Sequence, residues 1–144
     1  MIKEPIHGRY QLHLSGVRLI CDYAEGFNLP GVKRITNDML QATTHLSSWV
    51  LLQRPEASAG ITQEAIPAMM QGYVQLQNAG CKAVAIVDRS IFVHAGIPYH
   101  PRELIIPIRI EQNETKLIQW LDEIEVGIAT TAQPSNDPKL YSSR

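Results

Sequence analysis

Residues 82–88 read KAVAIVD, a short apolar run rich in β-branched and small side chains, with Gly80 just before it where a helix would end. A run that is apolar on both alternating sides is what a parallel strand covered by helices looks like, because both of its faces are buried. The segments on either side fall into a regular strand and helix order, which sets the fold class as α/β.

Working upstream, Thr62 is positioned to cap a helix running to Asn78, with Ile66, Met69, Met70, Tyr73 and Leu76 on one face. Pro67 lies past the first turn of such a helix and removes a backbone donor. It predicts either a kink or a helix that begins at about Ile66. Residues 49–52, WVLL, form a short third strand that Arg54-Pro55 ends, followed by a loop over 56–60. Pro30 suits the first turn of an earlier helix carrying Val32, Ile35, Met39 and Leu40 and ending near Leu46. Before it, Tyr10, Leu12 and Leu14 alternate with polar residues, Ser15-Gly16 supplies a turn, and residues 17–23 continue as a second strand, a β-hairpin.

Downstream, residues 89–104, RSIFVHAGIPYHPREL, are punctuated by Gly96, Pro98 and Pro101, leaving room for a short helical piece over 91–94. Residues 105–110 have the composition of a fifth strand, which Pro107 consigns to a sheet edge. Asn113 then caps an amphipathic helix with Leu117, Ile118, Leu121 and Ile124 as its buried stripe and Trp120 beside it. From Gly127 the chain is small, polar and without period, so residues 1–126 read as a single domain and 127–144 as a flexible C-terminal tail.

With 144 residues the chain can bury roughly 68 to 70% of its unfolded surface, enough for a core without staples. Thirteen basic and fourteen acidic residues give a net charge of −1, which argues against nucleic acid or an anionic membrane as partner. Cys21 and Cys81 both sit in apolar segments and read as reduced core residues rather than a disulfide. The first residues carry no apolar leader, and no run approaches the roughly 18 apolar residues of a membrane span, so a cytoplasmic protein is expected.

The order hairpin, α, β, α, β, short α, β, α resembles that of the SpoIIAA-like family of small bacterial proteins, which are related to STAS domains. The resemblance spans about residues 10–124 and rests on the hairpin, the WVLL strand, the glycine-ended helix before CKAVAIVD, and the closing IPIRIEQNETKLIQWLDEI. It implies a mixed five-stranded sheet that starts with the hairpin, helices mainly on one face, and a small regulatory or carrier role. In the antagonist branch of that family, a serine at the start of the second main helix is phosphorylated by a partner kinase. The corresponding stretch here is PEASAGITQEA, in which Ser58 and Thr62 are the available hydroxyls and Ser58-Ala59-Gly60 replaces the family's paired serines. A phosphate at a helix N-terminus would be favoured by the free N–H groups and the dipole. An ordinary N-cap at Thr62 and an ordinary loop serine at Ser58 explain the same residues more simply.

The remaining chemistry is sparse. His94 and His100 flank the glycine-proline loop near Asp88 and Glu103, the residue types of a zinc or general-base site, yet their spacing matches no ligand template. They read as loop histidines, and His7, His13 and His45 are given no role. Catalytic, metal and cofactor sites are therefore not expected, and neither GxSxG nor a phosphate-binding glycine loop is present. Met69, Met70 and Tyr73, facing Ile91, Phe92 and the loop around Ile97, could line an apolar pocket, although ordinary helix-on-sheet packing accounts for the same spacing.

Three functions remain open. The preferred one is a non-catalytic regulatory module that contacts a protein partner near the loop from Glu56 to Thr62. The alternative is a carrier of a small apolar or lipid-like ligand, with residues 91–101 as a lid. A third is an enzyme using Asp88, His94 and His100. The exposed sheet edges would also permit a homodimer.

Overall fold

In a computed structural model, which describes residues 4–132, the hairpin forms as its alternation demands. Strands β1 (Arg9–Ser15) and β2 (Arg18–Ala24) pair antiparallel, with Leu12 opposite Cys21 and Leu14 opposite Leu19. The chain continues through β3 (Gly26–Phe27), α1 (Leu29–Ala42), β4 (Trp49–Pro55), β5 (Gly60–Ile61), α2 (Ile66–Asn78), β6 (Cys81–Val87), β7 (Ile108–Glu111) and α3 (Glu114–Ala132). The main sheet has five strands in the order β1-β2-β4-β6-β7, and every pairing after the hairpin is parallel. This is the mixed sheet that the resemblance implied.

Strand alternation sends side chains to two different environments. Leu19, Cys21, Leu51, Val84 and Ile86 face α1 and α2, whereas Val50, Leu52, Ala83, Ala85 and Val87 face Leu117 and Leu121 of α3. Two helices thus cover one face and one helix the other. Lys82–Asp88 behaves as read: β6 is central, and all its residues but Lys82 are buried.

Polar anchors hold the two-helix side in place. Asn28 caps α1, its Oδ1 accepting from Gly31 N at 3.0 Å and from His7 N at 2.9 Å, while its Nδ2 donates to the Pro5 carbonyl at 2.6 Å. One buried side chain therefore satisfies the helix start and straps the N-terminal segment across it. At the other end of the sheet, Gly80 takes φ +112 between α2 and β6, and a Cβ there would collide with the Ser47 carbonyl oxygen. Trp49 is fully buried and donates its indole N–H to Ala79 O at 3.3 Å.

Several boundaries differ from those expected. β4 extends past Leu52 to Pro55, because proline at a strand's last position removes no needed donor and Glu56 N takes over by bonding Tyr23 O at 2.8 Å. Thr62 does not cap α2: it precedes a 3-10 turn over Gln63–Ala65 and makes no side-chain cap bond, while α2 begins at Ile66, the start that Pro67 predicted as the alternative to a kink, with Pro67 in the first turn. α1 stops at Ala42 rather than near Leu46, since the Thr43 hydroxyl folds back onto Met39 O at 2.9 Å. The helical piece expected over 91–94 is instead a 3-10 turn at Ile97–Tyr99, where Pro98 presets the backbone. β7 begins only after Pro107, at the sheet edge, and Pro107 serves the ladder as an acceptor for Val84 N at 3.0 Å. Asn113 caps α3 through Lys116 N at 3.2 Å, but the helix continues through Gly127, where a tail was expected to start, as far as Ala132. The rest of that expected tail lies outside the described residues. The small β3 and β5 pair was not expected at all, because two-residue strands carry no periodicity.

Candidate functional site

The two faces of the sheet are not equally filled. Between the sheet and the α1–α2 layer lies a cavity of about 410 Å³, within the roughly 300–1,000 Å³ usual for small-molecule sites. Its floor comes from the strands: Tyr23 of β2, Gln53 of β4, Ile86 of β6, and Ile108 and Ile110 of β7. Helix α1 contributes Val32, Ile35, Thr36 and Met39, and α2 contributes Met69, Met70, Gly72, Tyr73 and Leu76. The 59–61 loop and the connection between β6 and β7 close the remaining sides.

That connection is held at both ends and apolar between them. Ser90, which is buried, donates to Ala59 O at 2.5 Å and accepts from Phe92 N at 3.1 Å. His94 Nε2 lies 3.1 Å from Asp88 Oδ2, and His100 Nε2 lies 2.8 Å from Leu104 O. Farther along, Gln77 of α2 donates to Glu103 O at 2.9 Å and accepts from Ile105 N and Ile106 N at 2.8 and 3.1 Å. Phe92 and Ile97 turn part of their surface to the cavity while remaining 44% and 62% exposed. Few backbone bonds to the sheet cross this stretch, the condition under which a segment opens at low cost.

Among the residues singled out from sequence, Met69, Met70, Tyr73 and Phe92 are brought together on the cavity wall, together with Ile97. Ile91 is not with them. It is 89% exposed and points away, because the chain turns at Ser90 rather than forming a helix there. His94 and His100 line the mouth, each engaged with a neighbour on its own loop. Among the described residues no three His, Cys, Asp or Glu side chains assemble as a metal-binding group. Ser58 lies in the turn before β5, well ahead of α2, and its Oγ accepts from Glu25 N at 3.2 Å. Glu25 has φ 67, and this bond helps hold a backbone conformation that an L residue adopts at some cost.

Tyr23 and Gln53 escaped the sequence reading. Gln53 lies beyond the strand end that Arg54-Pro55 predicts, yet it is buried, with 6% exposure, and its Nε2 donates to Tyr73 Oη at 2.6 Å. A glutamine directly after WVLL, on the inward phase of the strand, is the signal that could have revealed it. Burial pushes the Tyr73 hydroxyl up to about 12, against the Gln53 hydrogen bond that lowers it, and burial with a smaller push from Tyr73 holds Tyr23 well above the usual tyrosine range. Cys81 is likewise pushed up to about 12 and Cys21 higher still, chiefly by burial, so both thiols stay protonated and inert at neutral pH.

Comparison with known proteins supplies one structural likeness. An uncharacterised DUF3478-family protein from Shewanella loihica PV-4, described as having a SpoIIAA-like fold, superimposes with a TM-score of 0.50 and 12% sequence identity. The match covers 84% of this chain and 98% of that one. No family model matches the sequence. No curated protein matches it either. The class defined by the sheet order, the opening hairpin and this likeness is the SpoIIAA-like α/β fold. Among the described residues, no helix is long and apolar enough to cross a membrane.

Proposed function

We propose that this protein is a SpoIIAA-like binding module that holds a small apolar ligand in the cavity between its sheet and the α1–α2 layer. The observation that carries the reading is the cavity itself: about 410 Å³ of space walled by Ile, Val, Met and Phe, in a domain whose opposite face is a cluster of fully buried Val, Leu and Ala. Natural cores close such voids unless something fills them, since each lost contact weakens the fold. Two methionines on the wall, Met69 and Met70, suit a site that adapts to its occupant. The connection from Asp88 to His100 acts as the lid, and its exposed Ile97 and Phe92 are the apolar surface over which a ligand would enter.

A regulatory contact with a protein partner fits the same arrangement at the 56–62 loop. Ala59 both lines the cavity and accepts the Ser90 bond that seats the lid, so a partner engaging the loop would sense whether the cavity is filled. Ser58, exposed on that loop, is the residue through which added charge would act.

Native and denaturing mass spectrometry of the freshly purified protein, combined with titration of the environment-sensitive apolar dye N-phenylnaphthylamine, tests the reading. A non-covalent adduct lost on denaturation, and saturable dye fluorescence, are expected. A bare native mass together with no dye binding would overturn it. Ser58→Asp should alter capture of a partner without changing dye affinity.

A further inference from the structure

Three polar side chains converge on the cavity floor with hydrogen-bonding capacity left over. Tyr23, Gln53 and Tyr73 reach it from β2, β4 and α2, and Gln53 Nε2 donates to Tyr73 Oη at 2.6 Å. Gln53 is 94% buried and Tyr73 92% buried, at 6% and 8% exposure. Among the described residues that single bond is the one that either side chain makes, and Tyr23 Oη has no partner. An amide has two N–H donors and a phenol one O–H. The pair therefore keeps two unused donors whichever way the Gln53 amide is turned, and Tyr23 adds a third. Both phenols remain protonated at neutral pH because burial disfavours the phenolate. Buried donors without acceptors are rare in proteins and costly.

The other polar groups on the wall are already engaged. Thr36 Oγ1 donates to Val32 O at 2.9 Å, Ser90 Oγ donates to Ala59 O, and the two imidazoles are paired with Asp88 and Leu104 O. None of the lining residues is Lys, Arg, Asp or Glu. An ionised ligand would lose its hydration and find no opposite charge, which is strongly unfavourable.

We propose that the ligand is an uncharged molecule with an apolar body and one acceptor oxygen, of the ester, ketone or alcohol class, whose oxygen is held by Tyr23, Gln53 and Tyr73. This rests on the cavity being a ligand site, as argued above, and specifies the chemistry of that ligand. The aliphatic body would lie against Met69, Met70, Ile86 and Phe92, with its far end towards the lid.

The test uses the full chain with N-phenylnaphthylamine bound, a dye that carries no oxygen, and compares methyl decanoate with decanoate as displacing ligands at neutral pH. The ester is expected to displace the dye at a concentration roughly tenfold or more below that of the carboxylate. Gln53→Leu and, separately, Tyr73→Phe should each weaken the ester by several-fold up to about tenfold more than they weaken the dye. Retained dye binding reports that a variant is folded, and Tyr23→Phe offers a milder change should either of the others fail to fold. Equal displacement by ester and carboxylate, or ester affinity indifferent to all three substitutions, would overturn the assignment of ligand chemistry and leave the cavity reading standing. Absence of dye and ester binding to the wild-type protein would overturn both.

Discussion

The two faces of one sheet show how the same strands can build a dry core and a cavity. Under α3, Ala83 and Ala85 of β6 let the helix come close, and Leu117 and Leu121 pack over them with no exposure to solvent. Its rim is fastened by charge. Arg54 holds both oxygens of Asp22 at 2.8 and 2.9 Å and also reaches Glu114, which in turn meets Arg89 at 2.7 Å, while Arg18 meets Asp122 and Glu125 at 2.6 Å. Under α1 and α2 the strands offer larger and partly polar residues, including Tyr23, Gln53 and Ile86, and part of the cover is the β6–β7 connection rather than a helix. A helix laid on alanines packs to native density. A loop laid over long side chains leaves room.

If the α3 face is the solid half of the molecule, truncation there should be the most damaging change. Leu117→Ala or Leu121→Ala is expected to cost about 2–5 kcal/mol in denaturant unfolding, since the void cannot be relieved by a neighbouring loop. Dye affinity of the folded fraction should not move. A loss below 1 kcal/mol would mean this face is no better packed than the other.

Enlarging a side chain should separate the two faces more sharply still. Ala85→Leu, under α3, adds volume where none is free and should cost about 1–3 kcal/mol. Its neighbour in sequence, Ile86→Phe, points into the cavity and should cost under about 1.5 kcal/mol while abolishing dye binding. Equal penalties measured by thermal unfolding would contradict the contrast between the faces.

Alkaline pH supplies the gentlest probe. Tyr73 rises from 10.0 to about 12 and Cys81 from 9.0 to about 12 on folding, both through burial on the cavity side. A group whose folded value is raised favours the native state while protonated. Its contribution is complete below the unfolded value and is lost as pH climbs towards the folded one. Stability should therefore be level up to about pH 9 and fall between 9 and 12. The double variant Tyr73→Phe, Cys81→Ala should flatten that fall when unfolding is followed by tyrosinate absorbance and tryptophan fluorescence. An unchanged alkaline limb would show that these groups are not what the high pH attacks.

Much of this architecture was legible from residue order. The alternation of Tyr10, Leu12 and Leu14, the apolar run of β6 and the cap at Asn113 each report a local backbone preference and formed where expected, and Pro107 correctly marked a sheet edge although the strand starts after it. Thr62 misled because a threonine before a helix-like segment looks like a cap whether or not its hydroxyl finds an N–H, and Pro67 held the better evidence for where α2 starts. The Met69, Met70, Tyr73 and Phe92 wall was legible as an apolar set, but helical spacing is the same for a filled core and a lined cavity. Gln53 is hidden from such a reading because Arg54-Pro55 signals a strand end, whereas β4 runs through to Pro55.

What the sequence by itself determined is the order of the longer strands and helices and which of their residues turn inward over most of their length, because periodicity, capping and proline chemistry act within a few residues. Only the tertiary structure decided that one face would close and the other stay open. Filling depends on the volumes of side chains contributed by β2, β4, β6, α1, α2 and a loop far apart in the chain. The meeting of Tyr23, Gln53 and Tyr73 on one floor is set by strand register and helix placement, which no single stretch of residues encodes.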